Sequence, residues 1–147
     1  MDGLTSLVPI FAILGTTNEH LGHYGEVDIA LDPFPFNGAT TTFQALWMGV
    51  PVITLAGETF ISRAAGSSLY HAGLGELAVE TAKAYVDRAQ KLASDLKELK
   101  QLRAGLRERI LSSPLCDAPA YAHSIETAYR DMWRTWCAEP KNIPYVK

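Results

Sequence analysis

Short apolar runs alternate with longer segments of helical periodicity along this chain. The runs at 7–14, 27–31 and 51–55 are rich in aliphatic and β-branched residues and are bounded by glycine, proline or acidic residues, which is typical of buried strands. The run at 27–31 is continuously apolar apart from Asp28 and does not alternate, which favours a parallel sheet covered on both faces. For the shorter run at 76–79 we predict an edge strand.

Between and after these runs, apolar residues recur every three or four positions, which predicts helices. A short first helix starts at polar capping residues near Thr16 and ends by Gly25. The other predicted helices span 40–48, 58–72, 81–111 with a second cap at 94–95, and 118–137. The helix at 58–72 is expected to bury an apolar face made of Phe60, Ile61, Ala64, Ala65, Leu69 and Tyr70.

Strands that alternate with helices predict an α/β fold with a parallel sheet. Three or four strands amount to half of a doubly wound sheet, so we predict a partial Rossmann-like domain with a cap of C-terminal helices. We assign residues 1–138 to this single domain and 139–147 to a proline-containing tail. A length of 147 residues supports one core but not two large ones.

Composition and charge exclude several classes of protein. A net charge of −3 gives no reason to expect nucleic acid or an anionic membrane as a partner. No apolar run reaches the roughly 20 residues of a membrane-spanning helix, and the start lacks the cationic segment of a secretory signal. Cys116 and Cys137 have no metal-binding spacing, so we interpret them as free thiols in a cytoplasmic protein.

Several chemically capable side chains are interpreted as structural. His23, His71 and His123 share no metal-ligand spacing, so we treat them as surface or core residues. The three tryptophans are expected to pack in the core or between helices; they are Trp47, Trp133 and Trp136. The basic residues after position 96 are expected to form a solvated face; they are Lys97, Lys100, Arg103, Arg107 and Arg109.

The segment from Asp32 to Thr42 carries the most distinctive chemistry. It follows the second predicted strand, and ligands of open α/β sheets bind beyond the carboxyl ends of the strands. Gly38 permits close approach of the backbone to a ligand, and the unpaired N–H groups at a helix start attract phosphate. The threonine hydroxyls at 40–42 add donors, so the turn fits a diphosphate. The simpler alternative is that these threonines only cap the helix, and the segment lacks the Gly-Lys-Ser/Thr of a P-loop.

Two long motifs contain this turn and the strand that follows it. They are Asp-Ile-Ala-Leu-Asp-Pro-Phe-Pro-Phe-Asn-Gly-Ala-Thr-Thr-Thr at 28–42 and Ala-Leu-Trp-Met-Gly-Val-Pro-Val-Ile-Thr-Leu-Ala-Gly at 45–57. With later matches that end in Ala-Tyr-Arg-Asp-Met-Trp at 128–133, they resemble the C-terminal catalytic half of the O-GlcNAc transferase and SPINDLY family. The similarity covers roughly 11–137 and is strongest to bacterial members, which usually carry tetratricopeptide repeats upstream.

The resemblance implies a GT-B fold, in which two Rossmann-like domains face each other and the second binds a nucleotide sugar. The family uses no metal and no cofactor. It moves N-acetylglucosamine from a UDP-sugar, or fucose from a GDP-sugar in the SPINDLY branch, to Ser or Thr hydroxyls of a protein acceptor.

The family also implies roles for individual residues near the turn. His20 matches a histidine that stacks on the base, and Thr40 with Thr41 matches the pair that holds the diphosphate. Gln44 stands where the family has an acidic residue near the ribose, and Ala39 replaces a histidine of the animal enzymes. The predicted nucleotide-sugar contacts are His20, Asn37, Gly38, Ala39, Thr40, Thr41 and Gln44.

A catalytic region of this family is expected to begin well before residue 11. It would include a facing N-terminal domain and a lysine that neutralises the diphosphate, so we interpret the chain as a fragment or half-domain with little transfer activity alone. A half-domain exposes a sheet edge and a domain interface, and we therefore predict a homo-oligomer. The alternative is a non-catalytic module that retains the fold and acts in binding or assembly.

Overall fold

A three-stranded parallel sheet lies at the centre of the described chain. The computed structural model describes residues 16–138, so the predicted strand at 7–14 and the tail at 139–147 lie outside the described residues. The strands are β1 (Ala30–Leu31), β2 (Val52–Leu55) and β3 (Ala78–Val79), in that order across the sheet. The predicted α/β class with a parallel sheet and an edge strand near 76–79 is confirmed.

The α-helices between residues 16 and 138 lie close to their predicted positions. They are α1 (Thr17–Gly22), α2 (Thr40–Trp47), α3 (Ala64–His71), α4 (Ala82–Ser94), α5 (Leu96–Leu111) and α6 (Ala118–Ala138). Short 3₁₀ helices occupy His23–Glu26, Ile61–Arg63, Gly75–Leu77 and Pro114–Cys116. The predicted break at 94–95 is confirmed, because the Asp95 side chain accepts a hydrogen bond from the Glu98 N–H at 2.8 Å and so caps α5.

β1 is shorter than the predicted strand at 27–31. Ala30 pairs with Val52 in parallel register, so residue 27 would face Gly49 if the ladder continued backwards. Gly49 instead follows the end of α2 with a φ of 80°, a left-handed conformation that suits glycine. The ladder begins at Ala30 because its partner strand begins only after this turn.

The predicted helix at 58–72 starts later than expected. The Thr59 N–H donates to the Ser62 hydroxyl, which in turn donates to the Thr59 carbonyl. Such local side-chain bonds compete with helical ones, so the α-helix begins only at Ala64. The apolar face predicted for this helix was wrong at three exposed positions, which are Phe60, Ile61 and Tyr70.

The hydrophobic core lies around β2. This strand contacts α2, α3 and α4, and its Ile53 is fully buried. Leucines from the helices and their connecting turns complete the core, and burial of each contributes about 1.5–3 kcal/mol. They are Leu46, Leu69, Leu74, Leu77, Leu92 and Leu106. The core thereby fixes the carboxyl end of β2 relative to the start of α2.

Four of the five basic residues predicted to form a solvated face are exposed, and three of the five also bind backbone carbonyls. These arginines lie on α5 and contact the segment before β1, the end of α2 and the turn after α3. Helix ends leave unpaired carbonyls, so the guanidinium donors satisfy groups that the helices cannot. The bonds join Arg103 to the Val27 carbonyl, Arg107 to the Trp47 carbonyl and Arg109 to the Gly73 carbonyl.

Helix α6 is exposed along its whole length. Two tryptophans predicted to pack in the core or between helices lie on it, and within the described chain Trp133 is 64% and Trp136 51% exposed. Trp47, in contrast, packs beneath Arg107 of α5, whose guanidinium carbon lies 5.3 Å from the ring centroid. Large apolar side chains follow one face of α6, and we call this set the α6 stripe: Tyr121, Ile125, Tyr129, Met132 and Trp133.

Candidate functional site

Asp32 is the centre of the turn that follows β1. It is 5% exposed, and each carboxylate oxygen accepts one hydrogen bond. Oδ1 accepts from the Gly38 N–H at 2.8 Å, and Oδ2 accepts from the Thr54 hydroxyl at 2.6 Å. The Asp32 carbonyl accepts from the Tyr85 hydroxyl at 2.8 Å. These bonds hold the start of the turn to its end, to β2 and to α4.

The buried position of Asp32 changes its acidity. Burial raises the pKa of Asp32 above its ordinary value of 3.8, although the hydrogen bonds from Thr54 and Gly38 oppose this shift. Burial also raises the pKa of Tyr85, and the negative charge of Asp32 adds to that effect. The Tyr85 hydroxyl therefore remains a hydrogen-bond donor at neutral pH.

The raised pKa of Asp32 makes a pH dependence of stability predictable. Between pH 3.8 and the folded-state pKa, the folded chain holds more of this proton than the unfolded chain, so stability falls as the pH rises through that window. We expect the free energy of unfolding of the wild type, minus that of Asp32→Asn, to decrease with rising pH in urea titrations and then to level off. An increase of this difference with pH would contradict the raised pKa.

Gly38 lies so close to the rest of the turn that a side chain would collide there. A Cβ atom at this position would lie 2.6 Å from Oγ1 of Thr41, 2.8 Å from Oγ1 of Thr42 and 3.0 Å from Oδ1 of Asp32. At least one of these groups would have to move. Glycine therefore keeps the turn tight and brings the backbone close to both threonine hydroxyls.

The start of α2 has no side-chain cap. Its N-cap residue is Ala39, and within residues 16–138 no side chain accepts a capping bond from the first helical N–H groups. Thr40 and Thr41 are exposed, whereas Thr42 is buried with an unpartnered hydroxyl among the described residues. The simpler alternative required the threonines to cap the helix, and they do not. The helix start offers unpaired N–H groups and two exposed hydroxyls, which suits a phosphate.

Asn37 lies inside the turn and not on its surface. It is 1% exposed, and its side-chain N–H groups donate to the carbonyls of Pro33 at 3.0 Å and Leu55 at 3.4 Å. Its Oδ1 has no partner in the described part of the chain. Asn37 thus shapes the loop, while Ala39 and the two threonines after it are exposed at the surface.

A capping box orients α1, the helix that carries His20. The Thr16 N–H donates to the Glu19 carboxylate at 2.7 Å, and the Glu19 N–H donates to the Thr16 hydroxyl at 3.4 Å. The backbone hydrogen bond from Thr16 lowers the pKa of Glu19, so the carboxylate is charged at neutral pH. This local pattern agrees with the predicted helix start.

His20 and Gln44 come into contact although they are 24 positions apart. His20 Nε2 lies 3.2 Å from Gln44 Oε1. The ring of Tyr24 packs edge-on against the His20 ring, with centroids 5.6 Å apart, and the Tyr24 hydroxyl donates to the Thr41 carbonyl at 3.4 Å. The structure therefore places His20 beside the helix that carries Thr40, Thr41 and Gln44.

Three residues of this region were not predicted from the sequence. Thr54 and Tyr85 hold Asp32, and Tyr24 supports both His20 and Thr41. Thr54 had a usable signal, because a hydroxyl in an otherwise apolar buried strand needs a partner. The tyrosines looked like ordinary apolar positions of helices.

The rest of the described chain adds few other candidate sites. Within residues 16–138 no three His, Cys, Asp or Glu side chains converge as metal ligands do. Both cysteines are free, as predicted, and both are exposed. No helix of this part is long and apolar enough to cross a membrane. An open cavity of about 580 Å³ lies beside β3, with Phe60, Arg63, Tyr70 and Glu80 among its lining residues.

Comparison with known proteins identifies similar chains in plants and animals. A protein of Hordeum vulgare named probable UDP-N-acetylglucosamine–peptide N-acetylglucosaminyltransferase SPINDLY is 41% identical over 136 residues, which make up 92% of this chain and 14% of that protein. The UDP-N-acetylglucosamine–peptide N-acetylglucosaminyltransferase of Caenorhabditis elegans is 34% identical over 127 residues, or 86% of this chain and 11% of that protein. The chain thus spans about a seventh of the plant relative and about a ninth of the animal one.

The same region is found in a solved structure and in a family model. A mutant form of the O-GlcNAc transferase of Thermobaculum terrenum superimposes with a TM-score of 0.75 at 44% identity, covering 81% of this chain and 23% of that one. The predicted partial Rossmann-like fold, from the C-terminal domain of a GT-B enzyme, is thereby confirmed. The model of glycosyl transferase family 41 matches residues 2–125. This chain belongs to glycosyl transferase family 41.

Proposed function

We propose that this chain forms the nucleotide-sugar binding part of a protein O-glycosyltransferase. Such an enzyme moves N-acetylglucosamine, or fucose, to Ser or Thr hydroxyls of a protein acceptor. The observation that carries the proposal is the uncapped start of α2, where Thr40 and Thr41 are exposed next to Gly38. A ligand with a diphosphate satisfies the N–H groups that have no side-chain partner among residues 16–138.

The proposed roles follow from the positions of the side chains. The N–H groups at the start of α2 and the hydroxyls of Thr40 and Thr41 bind the diphosphate, whose negative charge the helix dipole favours. His20 binds the base, because α1 places its ring next to α2. Asn37 contributes indirectly, since its buried amide fixes the loop that leads into the helix.

Sugar transfer makes further demands on the protein. An acceptor hydroxyl must be held against the donor, and the leaving diphosphate must be stabilised as the bond breaks. The chain spans 14% of its plant relative and 23% of the matching solved chain. We therefore propose that these 147 residues bind the donor, and that turnover depends on parts found in the longer relatives.

Binding of UDP to the purified chain tests this proposal. Calorimetry with UDP, GDP and their sugars is expected to show saturable binding of at least one nucleotide. Thr41→Ala should weaken this binding about tenfold, since hydrogen bonds to charged groups contribute about 1.5–3 kcal/mol. His20→Ala should weaken nucleotide binding while leaving the binding of inorganic pyrophosphate unchanged.

The matched control is Thr127→Ala on α6. The Thr127 hydroxyl donates only to the His123 carbonyl within its own helix, so this variant should bind nucleotide like the wild type. Absence of binding to all four ligands would refute the proposed donor site. Equal weakening by Thr41→Ala and Thr127→Ala would refute the assigned role of Thr41.

A second candidate function is assembly, and the α6 stripe favours it. Five large apolar side chains on one face of α6 are exposed to solvent. Exposed apolar surfaces of this kind mark protein interaction sites. We propose that the stripe joins copies of the chain, in line with the homo-oligomer expected from the sequence.

A further inference from the structure

We propose that Gln44 is a positioning residue, which fixes the orientation and the tautomer of His20. This inference rests on the proposed function, in which His20 contacts the base of the nucleotide. It assigns to Gln44 an action through the histidine, in place of a direct bond to the ribose.

The geometry restricts the His20 ring from two directions. Gln44 Oε1 lies 3.2 Å from the Nε2 atom, which is hydrogen-bond distance. The Tyr24 ring packs against His20 at an interplanar angle of 82°. One contact holds an edge of the imidazole and the other limits its rotation, so the ring keeps a single orientation before any ligand arrives.

The chemistry of the contact selects one tautomer of the neutral imidazole. A side-chain amide oxygen only accepts hydrogen bonds, so Nε2 of His20 must carry the proton and Nδ1 is the unprotonated nitrogen of the neutral ring. The contact therefore fixes which nitrogen of the neutral ring donates and which one is left to accept a hydrogen bond.

The same helix connects the phosphate contacts to the base contact. Thr41 and Gln44 are three residues apart on α2, so their side chains lie on one face. The Tyr24 hydroxyl also donates to the Thr41 carbonyl, which links the ring that supports His20 to the start of α2. The phosphate turn itself is held by the bond from the Gly38 N–H to Asp32, so a disturbed His20 should weaken base binding and leave the turn unchanged.

A double-mutant cycle on the full chain tests whether Gln44 acts through His20. Gln44→Met is expected to weaken UDP binding about fivefold, and to have no further effect when His20→Ala is already present. Binding of inorganic pyrophosphate should stay unchanged. Gln90→Met, on the exposed part of α4, is the matched control and should leave UDP binding as in the wild type.

Nitrogen-15 NMR of the ligand-free chain gives a readout that does not depend on nucleotide binding. The wild type is expected to show a slowly exchanging Nε2–H signal for His20. Gln44→Met should lose this signal, and Gln44→Glu, which keeps an acceptor oxygen at the same reach, should retain it. An unchanged signal in Gln44→Met would overturn the inference.

The two experiments separate the inference from the proposed function. If UDP binds, and Gln44→Met weakens it equally with and without His20, Gln44 contacts the ligand directly and the inference fails while the donor site stands. If no nucleotide binds but the Nε2–H signal depends on Gln44, the donor site fails and the positioning of His20 stands.

Discussion

Replacing Asp32 with alanine is expected to lower the free energy of unfolding by about 3 kcal/mol. The substitution removes both acceptors from two donors, the Thr54 hydroxyl and the Gly38 N–H. Each hydrogen bond to a charged group contributes about 1.5–3 kcal/mol, and an unpaired buried donor adds its own cost. The variant also avoids the free-energy cost of burying a carboxylate, which offsets part of the stability lost with these hydrogen bonds. Urea unfolding at pH 7, followed by circular dichroism, measures the change.

Two variants serve as controls for Asp32→Ala. Asp32→Asn keeps one acceptor oxygen and should cost about 1 kcal/mol, roughly one hydrogen bond. Asp131→Ala removes an exposed carboxylate that pairs with Arg134 three residues later, and should change stability by less than about 0.5 kcal/mol. Similar losses for Asp32→Ala and Asp131→Ala would show that the Asp32 bonds do not stabilise the fold.

Placing charge on the α6 stripe is expected to abolish self-association of the chain. The double variant Tyr129→Glu with Trp133→Glu removes two of the largest exposed apolar side chains of the helix. Complete burial of such a side chain contributes about 1.5–3 kcal/mol. A symmetric interface uses each residue twice, so the loss counts for both copies. Since each 1.4 kcal/mol changes an equilibrium constant tenfold, the dissociation constant of the dimer should rise at least about a hundredfold. Sedimentation equilibrium measures the effect.

The control for the stripe is Thr127→Glu. Residue 127 lies on the opposite face of α6 and is exposed, so it adds charge to the same helix without touching the stripe. This variant should associate like the wild type. A wild-type chain that stays monomeric at every concentration, or equal effects of the two substitutions, would contradict assembly through this face.

Local signals predicted most element boundaries correctly. Thr16 with Glu19, Thr81 and Asp95 mark helix starts by side-chain bonds that span three residues, and such bonds can be read from spacing alone. Gly49 marks the end of α2 for an equally local reason. The contacts that were not predicted have distant partners. The sequence did not indicate the carbonyl bonds of Arg103 and Arg107, because their partners lie 76 and 60 positions away.

In the candidate site too, the local features could be predicted from the sequence and the long-range contacts could not. The Gly38 turn and the threonines at the start of α2 form one continuous segment, so the sequence indicated their chemistry. The bond from Tyr85 to the Asp32 carbonyl joins positions 53 apart, and the contact of His20 with Gln44 joins two helices. Composition and spacing contain no information about such pairs, because the tertiary fold brings them together.

The arginines of α5 help to define the shortest segment of this chain that can fold as a unit. They provide the partners for carbonyls that end three separate earlier segments. A gene piece that stopped before α5 would encode the sheet and the phosphate turn but would leave these carbonyls unpaired and the leucine core open. Helix α6 makes no comparable contribution to the core, since none of its residues is buried. Loss of α6 alone should therefore leave the core and the turn around Asp32 in place, whereas a cut before α5 would remove core leucines and the partners of these carbonyls.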